Sequence, residues 1–413
     1  MIARANQIGS PAQDARAKAF AFLILGQALG NLALAYDSAA IVTPATPSDE
    51  VPGLSGAAQV NTAALQMLDS ALAVANSAAA TNGANGFPLP TTWISGVALT
   101  RDGFVRLARS YKARLRAGIA RTPAARAAVD WAAVIADATN GITADFSISL
   151  GGTTGWSAAY DFNQMYVTGG WHAVPYFYYG MADVSGSYDA WLATARDSRR
   201  AFTVVTPDLR WPRGDTRAAQ QATAPTLSLP VGVYFRNRPG GEDVPLTGPG
   251  DSQYDHRRYG AAWLNAVTGP YVEMSKTEMD MLAAEGYIRT GNLPAAIALV
   301  NVTRVKNGLD AIGNVASATA AYSTNLATCV PRVPAAPNFT STACGSLLEA
   351  MKYEKRMETA YTGYFIWMSD NRGWGDLVEG TPVEWPVPYQ EMQSRQKPYY
   401  NGTNRAPRGT YGF

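Results

Sequence analysis

Apolar residues recur at helical spacing near both ends of the chain. In the segment 61–77, Leu65, Leu68 and Leu72 lie three and four residues apart, so they share one face of a helix. Thr122 and Pro123 form a cap and first-turn pair for a later helix, and Gly308 closes another. The same periodicity predicts helices over 15–36, 61–77, 102–119, 123–138, 188–200, 275–289, 294–307 and 346–367.

The most apolar stretch of the chain is 20–36, which is the one candidate for a membrane span in the sequence. It is interrupted by Gln27 and Asn31 and ends at Asp37, whereas a bilayer requires about 20 consecutive apolar residues. We therefore predict a buried core helix. The first ten residues contain no apolar signal-peptide region, so no signal peptide is expected within this sequence.

The pattern changes from about residue 143. Gly and Pro punctuate short segments, and 13 of the 61 residues from Gly151 to Trp211 are aromatic, whereas the whole chain is 10% aromatic. A short strand and turn are predicted within 230–245. We divide the sequence into an N-terminal helical-repeat part, a loop-rich aromatic segment that is the candidate ligand region, and a C-terminal part. These cover 1–142, 143–270 and 271–413, the last holding a helical pair, a Cys loop, a long helix and a loop tail.

Charge and composition exclude several classes of function. The chain has 34 Lys and Arg against 32 Asp and Glu, a net charge of +2. That balance argues against a nucleic-acid or anionic-membrane surface as the main partner. Only two His and two Cys are present, which argues against a zinc cluster, and no cofactor is expected.

Cys329 and Cys344 enclose a Pro-rich loop, and we predict that they form a disulfide. A bond that closes a loop of this size stabilises the fold by about 3 kcal/mol in the chain-entropy model. Disulfides persist in oxidising compartments, so the bond favours a location outside the cytoplasm. Two unrelated buried thiols are the alternative.

The helix pair around Gly291 fits the spacing of a tetratricopeptide repeat. With Gly291 as the turn glycine, Ala284 and Ala296 fall at the small positions and Tyr287 at the aromatic position. Small residues there let two antiparallel helices touch. The segment 61–72 carries part of the same pattern, and a generic helical hairpin remains the alternative.

The same region resembles a known family. Residues 281–309 are similar to the part of SusD/RagB-type outer-membrane nutrient-binding proteins in which an acidic helix runs into a Gly-Asn turn. The matching positions are Glu285, Gly291, Asn292, Ala296, Asn301, Arg304, Gly308 and Leu309.

Further blocks resemble this family in the same order along the chain. In 353–377 the matches are Glu354, Lys355, Arg356, Glu358, Gly363, Arg372, Trp374 and Gly375. The family usually has an acidic residue where this chain has Thr362. Residues 385–388 are similar to its Pro-Ile-Pro turn. Near the start, the matches to its Arg-Ala-Phe helix are Lys18, Ala19, Phe20, Leu25, Gly30 and Asn31.

The resemblance implies a fold and a function. The fold would be mainly α, one intertwined SusD-like domain of tetratricopeptide-like hairpins with a loop-rich, aromatic-rich half. The function would be non-catalytic binding of a polysaccharide or oligosaccharide nutrient at the extracellular face of the outer membrane, for delivery to a SusC-like TonB-dependent transporter. Family members are lipoproteins with a lipid-bearing Cys at the mature N-terminus. This sequence shows none, so membrane anchoring is implied by the resemblance alone.

Catalytic motifs are absent from the sequence. No HExxH, GxSxG or Walker loop is present, and His172 and His256 are 84 residues apart along the chain. A glycosidase needs paired carboxylates, yet no Glu occurs between Glu50 and Glu242. The candidate carboxylates of the aromatic segment, with no spacing that favours a pair, are Asp161, Asp183, Asp189 and Asp208. We predict that the protein is not an enzyme.

Binding fits the aromatic segment better. Sugars offer flat apolar faces rimmed by hydroxyls, which aromatic rings and polar side chains recognise together. The alternative is that these rings fill a loop-rich core. The candidate ligand-contact residues are Trp156, Tyr160, Asn163, Gln164, Tyr166, Trp171, Tyr176, Tyr178, Tyr179 and Trp211.

The charged residues of the 354–358 block have a structural interpretation. Glu354 and Glu358 are four apart on one helix face, where we expect Arg356 and Arg372 to pair with them and to order the turn at Trp374.

A second class of function also stays open: a structural or assembly protein whose helical-repeat scaffold makes protein–protein contacts.

Overall fold

The computed structural model describes residues 9–82, 86–151, 174–223, 230, 232–239, 252–259 and 268–413. Within them helices dominate, which confirms the mainly helical fold. The α-helices of the described part are α1 Pro11–Ala35, α2 Ala57–Ala75, α3 Ala78–Asn82, α4 Arg101–Gly118, α5 Pro123–Ala127, α6 Trp131–Thr139, α7 Tyr176–Tyr179, α8 Ser187–Ala193, α9 Arg217–Thr223, α10 Lys276–Arg289, α11 Leu293–Lys306, α12 Leu347–Thr359, α13 Ile366–Trp374 and α14 Tyr389–Ser394.

The strands are short and pair two by two. The described strands are β1 Ser38–Ala40, β2 Leu54–Gly56, β3 Phe146–Leu150, β4 Phe235–Asn237, β5 Tyr254–His256, β6 Gly269–Met274, β7 Arg332–Pro334 and β8 Thr342–Cys344. Sheets form between β1 and β2, β3 and β6, β4 and β5, and β7 and β8. Strand β4 confirms the strand predicted within 230–245.

The chain forms two compact units, each built from separated segments. The first comprises Met1–Phe146, Met274–Gly286 and Gly363–Thr410. The second comprises Ser147–Glu273, Tyr287–Thr362 and Tyr411–Phe413. The three-part sequence division at 142 and 270 stays a prediction.

The core of the first unit is a set of closely packed helices. In the described part, α1 is the one helix long and apolar enough to span a membrane, and half of its most apolar window is buried. A Cβ at Gly26 would lie 2.8 Å from Leu68 of α2, and one at Gly30 would lie 2.4 Å from Leu115 of α4. Both glycines therefore allow a close helix approach, which is the packing of a core helix.

Several predicted helices end where local chemistry stops them. The helix predicted over 123–138 is wrong as a single element, because Asp130 caps a new helix by accepting the N–H of Ala133. The helix predicted over 346–367 stops at Thr359. Tyr361 and Phe365 then adopt φ values of 60° and 61°, which a continuing helix does not allow. Over 188–200, α8 ends at Ala193.

The helix pair around Gly291 has the predicted turn. Gly291 has φ of 82°, and Asn292 caps α11 by accepting the N–H of Ala295. Ala284 and Ala296 are fully buried, whereas Tyr287 is half-buried. Gly308 follows α11 with φ of 75°, which confirms the predicted cap. The tetratricopeptide geometry of the pair stays a prediction.

The predicted disulfide is present. Cys329 and Cys344 are bonded, with their Cα atoms 5.7 Å apart. Cys344 closes strand β8, which pairs with β7 in antiparallel register. The Pro-rich loop between them is thus fixed both by the bond and by a short sheet within the second unit.

Candidate functional site

The sequence predicts ten ligand-contact residues, and the structure describes four of them. Trp156, Tyr160, Asn163, Gln164, Tyr166 and Trp171 lie outside the described residues. The described four are Tyr176, Tyr178, Tyr179 and Trp211. Ligand contact at these ten positions stays a prediction.

Three of the four described rings lie in the interior of the second unit. Tyr176, Tyr179 and Trp211 expose 1%, 5% and 1% of their surface. Trp211 stacks on Phe235 with ring centroids 4.2 Å apart, and Tyr179 meets the same ring edge-on at 4.9 Å. Burial raises the pKa of Tyr179. Rings packed in this way supply apolar area to the core.

Tyr178 has a different environment. It is half-buried, and the guanidinium of Arg356 lies 4.9 Å from the centre of its ring. A cation over an aromatic face is attracted by the ring's electron density. Of the four described candidates, Tyr178 therefore keeps the most accessible ring.

The candidate aspartates that the structure describes, Asp183, Asp189 and Asp208, have structural partners. Asp183 accepts the backbone N–H groups of Tyr188 and Val205 at 3.1 and 3.0 Å. Asp189 pairs with Arg332 at 2.9 Å. Asp161 and His172 lie outside the described residues, and the described residues contain no group of three His, Cys, Asp or Glu side chains placed to hold a metal ion.

A buried ion cluster around Arg210 organises the second unit. Its guanidinium lies 2.8 Å from Asp208, 2.9 Å from Glu354 and 3.1 Å from Glu358. Arg304 adds a second cation 3.8 Å from Glu354. Burial disfavours the charge on Arg210, but the three carboxylates outweigh it and raise the pKa of this guanidinium. The cluster is therefore a structural network that holds Arg210 as a cation.

The predicted partners of these glutamates are wrong. Arg356 donates to the hydroxyl of Tyr411 at 3.2 Å, and Arg372 belongs to the first unit, where it donates to the backbone oxygen of Val383. The actual partner, Arg210, is 144 residues away from Glu354 in sequence. Local helical spacing carries no information about a partner that distant.

The first unit holds a second buried ion cluster. Arg126 lies 2.6 Å from Glu285 and 3.1 Å from Asp370, with Arg126 fully buried. Trp374 donates its indole N–H to Glu285 at 3.1 Å. Nearby in the same unit, Arg114 pairs with Glu278 at 2.7 Å. Glu285 and Trp374 of the sequence motifs therefore act in holding the fold together.

Exposed aromatic rings gather at one place in the first unit. Among the exposed large hydrophobic residues of the described part, every aromatic one falls within 385–400. Trp385, Tyr389, Tyr399 and Tyr400 are 43%, 61%, 63% and 41% exposed. We call these four residues the aromatic surface. Large apolar groups left in contact with water in one patch are typical of a binding site.

Backbone hydrogen bonds and two half-buried rings hold Trp385 in place. Its N–H donates to the oxygen of Ala35, and its own oxygen accepts from Asp37, both at 2.9 Å. The Trp385 ring meets Tyr36 edge-on at 5.8 Å and Phe365 at 5.2 Å. The exposed part of the indole is therefore presented on a fixed support.

Polar groups flank the aromatic surface. The hydroxyl of Tyr400 donates to the carboxylate of Asp37 at 2.8 Å and accepts the N–H of Val387 at 3.0 Å. Partial burial, followed by the contact with Asp37, raises the pKa of Tyr400, so this hydroxyl remains a donor at neutral pH. Tyr389 meets Tyr399 edge-on with centroids 6.3 Å apart. The arrangement combines apolar faces with directed hydrogen bonds.

This surface is not among the predicted ligand-contact residues, because the pattern of the C-terminal tail predicts a loop. The signal was present: Tyr389, Tyr399 and Tyr400 alternate with prolines and with Gln and Asn in 385–401. Aromatic residues in a segment without apolar periodicity have no helix or strand face to bury them. Such residues are candidates for an exposed site.

No family model and no curated protein matches the chain. Among solved structures, the chain is similar to a SusD-like carbohydrate binding protein from Bacteroides vulgatus, with 15% identity, 90% of this chain and 66% of that chain covered, and a TM-score of 0.43. A SusD homolog from Bacteroides thetaiotaomicron is 13% identical, with 95% of this chain and 79% of that chain covered and a TM-score of 0.49. Surface glycan-binding protein A from Bacteroides uniformis is 11% identical, with 98% of this chain and 82% of that chain covered and a TM-score of 0.46.

The chain thus spans about two thirds of the length of the first of these structures and about four fifths of the last. The first is described as a SusD-like protein and the second as a SusD homolog, and the SusD/RagB family is the one that the sequence motifs of this chain resemble.

Proposed function

We propose that the protein is a SusD-like, non-catalytic glycan-binding protein and that the aromatic surface is one of its contact sites. The observation that carries the proposal is the concentration of exposed rings at 385–400. The resemblance of the sequence motifs to the SusD/RagB family supports it. The predicted rings of 156–171 would form a further contact region.

The aromatic surface has the chemistry that a sugar requires. The faces of Trp385 and Tyr389 offer flat apolar area, and Tyr400 with Asp37 offers a donor and an acceptor beside it. A ring that already packs against other side chains loses little conformational freedom when a ligand stacks on its exposed part. Binding therefore requires no reorganisation of the first unit.

The proposed setting is the extracellular face of the outer membrane. There the protein would pass a polysaccharide or oligosaccharide nutrient to a SusC-like TonB-dependent transporter, held near it by a lipid anchor. The disulfide supports an oxidising compartment. The location, the anchor and the transporter come from the resemblance.

Substitution of Trp385 tests the proposal. We expect Trp385→Ala to weaken glycan binding about five- to 150-fold, because a stacked ring contributes about 1–3 kcal/mol. The measurement is affinity electrophoresis of the full chain against a panel of plant and host glycans, followed by calorimetry on the best ligand. Val302→Ala, at a residue that is 62% exposed in the second unit, is the matched control.

The melting temperature of both variants should remain that of the parent protein. If Trp385→Ala binds a confirmed ligand with unchanged affinity, the aromatic surface is not part of the glycan-binding site. Exposed rings also suit a protein–protein interface, which is the competing structural or assembly function. Concentration-dependent self-association of the ligand-free protein, abolished by Trp385→Ala, would favour that function instead.

A further inference from the structure

A cavity in the first unit is lined by cations. It has a volume of about 790 Å³ and lies among residues 121–123, 372–383 and 403–410. Its described lining includes Arg121, Arg372, Arg405 and Arg408 and no acidic side chain. The volume is within the range of small-molecule sites, about 300–1,000 Å³.

Arg372 is the deepest of the four cations. It is 2% exposed, and it donates to the backbone oxygens of Val383 at 2.8 Å and Gly118 at 3.0 Å. Its Nε is buried and has no hydrogen-bond partner within the described part of the chain. An unsatisfied buried donor on a charged group costs free energy unless a ligand completes it.

Buried arginines elsewhere in this unit receive dedicated carboxylates. Arg126 has Glu285 and Asp370, and Arg114 has Glu278. The carboxylates nearest Arg372 belong to Asp370 and Glu384, which already pair with Arg126 and Arg121. Burial, and then the charge of Arg121, lowers the pKa of Arg372 to about 9. No carboxylate side chain is therefore among the described lining residues, and Glu384 contacts the lining only through Arg121 and Asn404.

The rest of the lining suits a sugar ring. Leu377, Val383 and Pro123 supply apolar walls, while Thr403 and Asn404 supply hydroxyl and amide groups. Arg405 lines the cavity and is also exposed to solvent. A cavity for a small inorganic ion alone would need neither the volume nor the apolar walls.

The chain connects the cavity to the aromatic surface. Val383 precedes Trp385 by two residues, and Tyr400 precedes Thr403 by three. Arg121 donates to the oxygen of Tyr36 at 2.8 Å, and the Tyr36 ring supports Trp385. The cavity and the aromatic surface both belong to the first unit, and the residue Tyr36 contacts a residue of each.

We propose that this cavity binds the anionic group of an acidic glycan, a carboxylate or a sulfate on a sugar, while neighbouring sugars stack on the aromatic surface. The inference rests on the proposed function and names its substrate class. The guanidinium groups that line the cavity would supply charge-assisted hydrogen bonds to the anion.

The test compares acidic and neutral ligands on the full chain. We expect an oligogalacturonate or a sulfated galactan to bind at least about tenfold more tightly than a neutral galactan of equal length, since one charged hydrogen bond contributes about that factor. The preference should shrink as ionic strength rises. Which of the two acidic ligands binds more tightly distinguishes carboxylate from sulfate.

Two variants locate the effect. Arg405→Gln combined with Arg408→Gln should reduce the preference for the acidic ligand about tenfold without lowering the melting temperature, because both residues are exposed. Arg196→Gln combined with Arg213→Gln makes the same charge change at exposed positions of the second unit and should leave the preference intact. Equal affinity for acidic and neutral ligands, or an effect of equal size in both double variants, would overturn the proposal.

The outcomes separate this inference from the proposed function. If neutral glycans bind as tightly as acidic ones, the proposed glycan-binding function is supported and the proposed preference for acidic glycans is wrong. If no glycan binds, yet galacturonate or sulfate alone raises the melting temperature through Arg405 and Arg408, the cavity is an anion site and glycan binding is wrong. If no probe binds, both proposals are wrong.

Discussion

Arg210 joins residues that are far apart in sequence. It comes from an irregular segment of the second unit, and it contacts Glu354 and Glu358 on α12. Removing one partner of such a network leaves buried carboxylates without compensation. At the scale of single residues, this makes Arg210 one of the positions at which a change has the largest effect on stability.

We predict that Arg210→Met lowers the free energy of unfolding by about 3–5 kcal/mol. Chemical denaturation followed by far-UV circular dichroism measures it. Arg196→Met, at an exposed arginine of the same unit, should change stability by no more than about 0.5 kcal/mol. Equal effects of the two substitutions would show that the Arg210 network contributes little.

Two tryptophans of the aromatic segment should respond oppositely to truncation. Trp211 is buried against Phe235, so Trp211→Ala should cost about 3–5 kcal/mol of stability. Trp171 follows Gly169 and Gly170, and we predict that it contacts ligand. Trp171→Ala should weaken glycan affinity about five- to 150-fold and leave the melting temperature nearly unchanged. A large thermal loss in Trp171→Ala would place that ring in the core.

Sequence reasoning at this scale succeeds where chemistry is local. The cap at Thr122, the left-handed glycines Gly291 and Gly308 and the cysteine pair follow from neighbouring residues. The partners of Glu354 do not, because residues from three separate segments meet around it. The exposure of a side chain cannot be predicted locally for the same reason. Trp211 and Trp385 have similar sequence surroundings, and tertiary packing alone buries the first and exposes the second.

At the scale of elements, α11 tests the packing of small residues. Ala296 is fully buried on α11, which packs on α12, whereas Ala298, half a turn away, is exposed. Ala296→Phe should overpack the contact and cost about 1–3 kcal/mol. Ala298→Phe inserts the same ring on the solvent side and serves as the control. Melting temperatures of the two variants decide, and equal values would refute close packing at Ala296.

The periodicity of apolar residues located most helices but not all their ends. The helices predicted over 102–119 and 275–289 agree with α4 and α10 to within one residue at each end. Over 346–367 the apolar pattern continues past Thr359, yet the backbone breaks at Tyr361 and Phe365. Both residues adopt left-handed φ values that only the surrounding packing imposes, and no local pattern announces them.

At the scale of the whole molecule, the disulfide limits the freedom of the unfolded chain. Cys329 and Cys344 are separated by 15 residues, so the bond should contribute about 3 kcal/mol in the chain-entropy model. We predict that reductant lowers the denaturation midpoint of the parent protein. The double variant Cys329→Ser with Cys344→Ser should already be destabilised and should not respond to reductant.

Mass spectrometry gives an independent check of the same bond. Alkylation of the native protein should add no mass, and alkylation after reduction and unfolding should add two groups. Two thiols that react before reduction would contradict the bond, and with it the support for an oxidising compartment.

The first unit is assembled from segments that are made at very different times. Arg126 receives Asp370 from 244 residues further along the chain. At about 5–20 residues per second, a ribosome needs roughly 12–50 s to make that stretch. Throughout this interval the N-terminal helices exist without the carboxylate and the closing segment that complete their core. The first unit therefore cannot complete its core before residues 363–410 have been made.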